Sequence, residues 1–218
     1  MTISQAMLFV GAAILLTCIP IAGKYFRVLN TLLHEIGHVL ASLLSGGGIH
    51  HVQLFWDTSG VAYTTHANRL AAIVTSLAGY PFASASAFFV AWASLNGYTG
   101  WLYYGLFMIL AVSLVLWVRN WFGFLWLVAF FAGTAAIYMY ASGAVQQAYM
   151  YVITAVLLVE SVRSSWVIFY LSLISPQKAG DASALKRSTG ISSRVWGLLF
   201  LIQALYFGIY LPGKLLAG

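Results

Sequence analysis

His34-Glu35-Ile36-Gly37-His38 matches the pattern H-E-x-x-H. Residues four apart share one face of an α-helix, so both imidazoles can reach a single metal ion. Zinc suits that pairing, and the Glu beside the first His can hold and deprotonate a water there. The metal lowers that water's pKa to about 7, so hydroxide becomes available at neutral pH. With so few His and acidic residues, a chance match is expected on the order of once in a thousand such chains. That favours a metal site over two buried histidines that merely satisfy one another.

A catalytic zinc usually takes three protein ligands and keeps one position open. The chain has only four Asp or Glu residues in 218. Besides Glu35 they are Asp57, Glu160 and Asp181. Each also has an ordinary structural reading. Asp57 opens the turn-like run Asp57-Thr58-Ser59-Gly60. Glu160 stands three residues before Arg163, the spacing of an ion pair on a helix. Asp181 precedes Ala182-Ser183-Ala184-Leu185, as a helix N-cap does. His50, His51 and His66 are the remaining histidines. His50 and His51 are adjacent, so at most one can face a site from a strand. Spacing alone leaves these candidates open.

The elements that must position this chemistry are apolar. The chain is 62% hydrophobic and 6% charged, against about 25% charged in a soluble domain. That excludes a soluble enzyme, a disordered chain and, with the single cysteine Cys18, a disulfide scaffold. The net charge of +6 is spread between apolar runs, which reads as membrane topology rather than nucleic-acid binding. The fold expected is an all-α polytopic membrane bundle, one domain over residues 1–218, with about seven helices. Their expected extents are Met7–Ile21, Val28–Ser45, Leu70–Leu95, Trp101–Val118, Trp121–Ala141, Ala148–Leu173 and Val195–Leu211. The first lacks a basic flank and a clear cleavage site, so it reads as a retained helix. Lys24 and Arg27 are expected in a loop, and Ser175–Arg194 as a polar loop. Loop charges favour a cytoplasmic N-terminus, although Lys24 and Arg27 count against it.

The second helix is unlike a lipid-facing one. Thr31, His34, Glu35, His38, Ser42 and Ser45 fall mostly on one stripe. Gly37, Ala41 and Ser45 form a small-residue ridge for close helix contact. Gly46-Gly47-Gly48 ends the helix. Two β-type runs then flank a Gly-containing turn between His50 and Thr65, which reads as a small hairpin.

The zinc helix Thr31–Ala41 resembles that of the site-2 protease family of intramembrane zinc metalloproteases, in its compact peptidase-like branch. Further stretches follow in the same order: Ser45-Gly46-Gly47-Gly48, the hairpin ending in Gly60-Val61, and Ala78-Gly79-Tyr80-Pro81. Arg119-Asn120 is similar to an Arg-Asn pair of that branch. Gly180-Asp181-Ala182, Leu185, Thr189-Gly190 and Val195-Trp196 resemble a Ser-Asp-Ala…Leu…Thr-Gly…Trp block. The resemblance implies a Zn²⁺-dependent endopeptidase with His34 and His38 as ligands and Glu35 as general base. It departs in lacking the Leu-Asp-Gly-type motif that supplies the third ligand in better-known members. Asp181, in the Asp-Ala block, is the preferred substitute, with Glu160 and Asp57 as alternatives.

Under this reading the hairpin could hold an extended substrate at a strand edge, and Asn120 could bind the substrate carbonyl or oxyanion. The expected partners are a membrane protein or peptide substrate and the lipid bilayer, without nucleic acid. The expected location is a bacterial cytoplasmic membrane. Two other classes compete: a membrane binding or transport protein, and a catalytically silent, metal-stabilised scaffold. Scarce acids weigh against a metal-transport path.

Overall fold

The computed structural model describes the backbone of residues 3–217 and the side chains of residues 7–215. Helix α1 (Ile3–Cys18) meets α2 (Pro20–Leu44) at a sharp break. Strands β1 (Gly48–Leu54) and β2 (Gly60–Thr65) form an antiparallel hairpin. Then come α3 (Arg69–Leu95), α4 (Thr99–Val112), α5 (Trp121–Tyr140), α6 (Gly143–Ile174), α7 (Gly180–Thr189) and α8 (Ser193–Leu205). A π-turn, Ser113–Trp117, extends α4, and another, Tyr206–Tyr210, carries α8 into a last stretch, Leu211–Ala217. Counting that last run as one, the described residues form eight helices.

Five helical runs are long and apolar enough to cross a bilayer: α3, α4 with its π-turn, α5, α6 and α8. α1 and α2 meet the same criterion only together, bent by 111° at their junction. Large apolar side chains such as Leu70, Trp101, Trp121 and Tyr140 stand exposed around the bundle, a surface suited to lipid and not to water. The protein is a multi-pass membrane protein.

Three expectations change. The eighth helix is α7, formed inside the segment expected as a polar loop. It is too short and too polar for hydropathy to reveal. α2 begins at Pro20 rather than Val28, because a proline at the first helical position is already set to helical φ. Lys24 and Arg27 therefore lie within a helix, not in a loop. Finally, α6 starts at Gly143, five residues before the expected Ala148.

α2 is the axis of the fold. Its apolar side, Leu29, Leu32, Leu33, Ile36 and Val39, is buried against Ala83 and Ala87 of α3, Leu157 of α6, Phe130 of α5 and Leu54 of β1. The small-residue ridge faces α3: a Cβ on Gly37 would stand 2.7 Å from Cβ of Phe82 and 2.9 Å from the Ala78 carbonyl oxygen. α2 ends where expected. Gly46 takes the left-handed conformation (φ 78°) and the Gly47 amide donates to the Ser42 carbonyl at 2.8 Å.

The polar stripe of α2 carries the hairpin. Thr31 Oγ1 donates to the Thr58 carbonyl at 2.7 Å, at the hairpin's turn. Ser42 Oγ lies 2.9 Å from the Thr65 carbonyl oxygen and 3.1 Å from that of Gly48, at its base. β2 therefore runs alongside the His-Glu-x-x-His segment. The outer edge of β1 is closed by residues 118–120. Val118 bridges Val52 in parallel, and the Arg119 amide donates to the Val52 carbonyl at 3.1 Å. Ladder groups point alternately to the two sides of a strand. Since Val52 and Leu54 turn theirs towards 118–120, their partners Ala62 and Gly60 turn theirs to the opposite, open side of the sheet.

Candidate active site

His34 and His38 project from the same face of α2, their Nε2 atoms 3.0 Å apart. Asp181 Oδ2 stands 3.2 Å from Nε2 of His34 and 3.3 Å from Nε2 of His38. Among the described residues, these three side chains form the one metal-ligating group of His, Cys, Asp or Glu. A tetrahedral ion with ligand bonds of 2.0–2.1 Å separates its ligand atoms by about 3.3–3.4 Å. The observed triangle has nearly those edges. Two imidazoles and one carboxylate are a borderline donor set, as zinc and its first-row neighbours prefer. The residues thus fit a divalent transition metal.

A second layer fixes the ligands. Nδ1 of His38 lies 2.7 Å from the Thr75 carbonyl oxygen. A carbonyl can only accept, so Nδ1 carries the proton and Nε2 keeps its lone pair for a metal. The His34 ring meets the Tyr80 ring edge to face, with centroids 4.5 Å apart. Gly79 lies directly beneath both histidines: a Cβ there would stand 2.6 Å from Nε2 of His38 and 2.7 Å from Nδ1 of His34. Only a glycine lets α3 pass so close.

Asp181 arrives by tertiary packing. α7 docks through Ala179, Ala182 and Leu185, all fully buried with Tyr80 of α3 and Phe200 of α8. Arg69 Nε donates to the Ser188 carbonyl at 2.6 Å, satisfying a carbonyl at the C-terminal end of α7. Ser183 Oγ donates to the Pro176 carbonyl at the other end.

Glu35 is 4% exposed and faces β2 rather than the bilayer. A Cβ on Gly60 would stand 2.7 Å from Oε1. Around this cluster lies a cavity of about 530 Å³. Its walls come from the polar stripe of α2, the free edge of β2, Ser164 and Ile168 of α6, Tyr80, and Lys178 beside Asp181.

The other expected site residues lie elsewhere. Glu160 does not join the histidines. Its Oε1 sits 3.3 Å from Nε of Arg27 and its Oε2 3.1 Å from Nη1 of Arg163. Arg27 also donates to the Thr17 carbonyl at the α1–α2 break. Glu160 and Arg27 thus pair inside the bundle, and Arg163, with a half-exposed side chain, joins them from outside it. Asp57 is occupied by its own turn, accepting from Ser59 N at 3.0 Å and Ser59 Oγ at 2.6 Å. These hydrogen bonds hold its carboxyl below the usual range. Asn120 is engaged at both ends of its amide: Oδ1 accepts from Leu54 N at 3.1 Å and Nδ2 donates to Leu54 O at 2.6 Å. It clamps β1 and is not part of the cavity wall. His51 stacks on Tyr63 at 4.5 Å, and His66 lines the cavity outside the three-residue group.

Thr75 takes a position at the site that no sequence signal marked, while Gly60, Gly79 and Tyr80 stood only in stretches that carry the resemblance. By residue type Gly79-Tyr80-Pro81 signals a helix kink. A glycine inside a helix costs stability, and next to Pro81 it reads as a kink rather than a close approach.

A family model described as Peptidase M50B-like matches residues 7–211. No curated protein and no solved structure matches the chain.

Proposed function

The chain belongs to the Peptidase M50B-like family, and on that premise we propose that it is a zinc-dependent intramembrane endopeptidase, which cuts peptide bonds in or near transmembrane segments. The observation that carries this reading is the convergence of His34, His38 and Asp181 beside a buried Glu35, in a cavity bounded by a free strand edge. His34, His38 and Asp181 would hold the ion, with Thr75 fixing the ring of His38. When bound, zinc supplies Lewis acidity that makes water nucleophilic near neutral pH and polarises the scissile carbonyl.

The chain's own residues do the rest. Glu35 takes the proton from the attacking water and passes it to the leaving amide nitrogen. Gly60, with no side chain, lets the carboxylate lie against the open edge of β2. A transmembrane helix shields its own peptide bonds, so the substrate must be unwound before hydrolysis. An extended segment can pair with the outward-turned groups of β2 and lie along Glu35 and the histidines. β1 offers no such edge, because 118–120 already occupies it. On this proposal the substrate is a membrane protein or peptide and the setting a bacterial cytoplasmic membrane.

The test is to purify the protein in detergent, measure bound metal, and follow cleavage of a transmembrane reporter. Glu35→Gln should keep one zinc per chain and lose cleavage by at least about a hundredfold. Undiminished cleavage in that variant overturns the mechanism.

A further inference from the structure

One residue of the cavity wall carries a buried polar atom with no task in the arrangement above. Asn30 lies one helical turn before His34 on α2, is 4% exposed, and lines the same cavity. Its Nδ2 faces Ser164 Oγ at 3.5 Å. The Ser164 hydroxyl donates to the Ser161 carbonyl at 3.3 Å, so its oxygen is the acceptor towards Asn30. That assigns the NH₂ to the Ser164 side and turns Oδ1 away from it. Oδ1 has no hydrogen-bond partner. Buried carbonyl oxygens are rarely left so in natural proteins. Thr75 Oγ1 is also unpartnered on this wall, but a hydroxyl both donates and accepts and does not define its partner. Asn30 Oδ1 only accepts, so what it lacks is a donor.

We propose that Asn30 is a substrate-binding residue, its Oδ1 accepting a hydrogen bond from a main-chain N–H of the extended substrate about two residues from the scissile bond. The assignment rests on the peptidase reading. The spacing supports it. Four residues of helix separate Asn30 from His34, a rise of about 6 Å. Two residues of strand rise about 6.6 Å, and main-chain groups two apart point the same way. A peptide whose scissile carbonyl lies at the His34–His38–Asp181 group therefore presents a like-oriented N–H at Asn30. Asn30 lines the cavity, but its Oδ1 is itself closed to solvent. The proposed N–H would reach it as the entering chain separates Asn30 from Ser164.

The experiment measures binding of a labelled Leu-Ala transmembrane peptide of about 20 residues to the detergent-solubilised Glu35→Gln protein, with a set of single N-methyl analogues. One N-methyl position should weaken binding about tenfold, the effect of losing one hydrogen bond. Asn30→Ala in the same background should bind the parent peptide about tenfold more weakly and be insensitive to methylation at that position. Asn30→Ser, small and polar, must behave likewise and serves where the alanine variant does not fold. Equal N-methyl profiles with and without Asn30 overturn the assignment, as does an absence of peptide binding. If wild type never cleaves while Asn30-dependent binding persists, the proteolytic reading fails and the binding assignment stands.

Discussion

The backbone of Gly79 lies against the imidazole of His38, so close that a methyl group there would stand 2.6 Å from Nε2. The same methyl would stand 2.7 Å from Nδ1 of His34. Both candidate ligands thus rest on one residue of the neighbouring helix. Gly79→Ala should push the rings off their common point and weaken zinc binding by about 10- to 100-fold. A chelator-competition titration measures this. Unchanged affinity would mean that the helices can separate without moving the ligands.

The carboxylates should part company on metal content. Asp181→Ala removes one corner of the three-atom group and should abolish stoichiometric zinc in the purified protein. Glu160→Ala and Asp57→Ala should keep it, because neither side chain reaches the histidines. Zinc lost from Glu160→Ala, with Asp181→Ala still loaded, would reverse the assignment.

Glu160→Ala has its own expected cost. Glu160 balances Arg27 and Arg163, and its side chain is 6% exposed. Removing it leaves the guanidinium of Arg27 uncompensated at the α1–α2 break, a loss of about 3 kcal/mol. Thermal unfolding in detergent should show the drop, and replacing Arg27 as well should recover part of it. Additive losses in the double variant would mean the charges act separately.

Asn120 holds the hairpin by imitating a strand. Asn120→Ala removes both hydrogen bonds to Leu54, each contributing about 1 kcal/mol. The Leu54 amide should exchange its hydrogen faster, and KM for a reporter should rise more than kcat falls. A loss confined to kcat would instead place Asn120 at the reacting atoms.

The turn at Asp57 should respond to acid. Its folded pKa is depressed by Ser59, so its contribution is fully present above the unfolded value of about 3.9. That contribution is lost as pH falls through the lower folded value. Exchange of the Ser59 amide hydrogen should rise, relative to its intrinsic rate, over that acidic window. In Asp57→Asn the feature should vanish, since the amide does not titrate there.

Much of this was written in local sequence. His34, Glu35 and His38 share one helical face because any α-helix places residues four apart together. Apolar runs of span length follow from composition, and the end of α2 follows from the freedom of Gly46 at φ 78°. The hairpin could be read from alternation around Asp57-Thr58-Ser59-Gly60. α7 was marked only by the N-cap reading of Asp181, which falls in its first turn, because ten mixed residues carry no hydropathy signal; its packing on Tyr80 and Phe200 is tertiary.

What sequence determined, then, was the pair of imidazoles, the glutamate between them and the membrane that surrounds them. Each depends only on spacing along one helix or on summed hydropathy. Which carboxylate approaches those imidazoles was decided by tertiary structure. Asp57, Glu160 and Asp181 are chemically alike, and their places in the chain do not rank them. A small apolar cluster carries Asp181 inwards, two arginines hold Glu160 away, and Ser59 keeps Asp57 at its turn. Contacts between residues distant in the chain have no local signature, so only the folded packing separates the three.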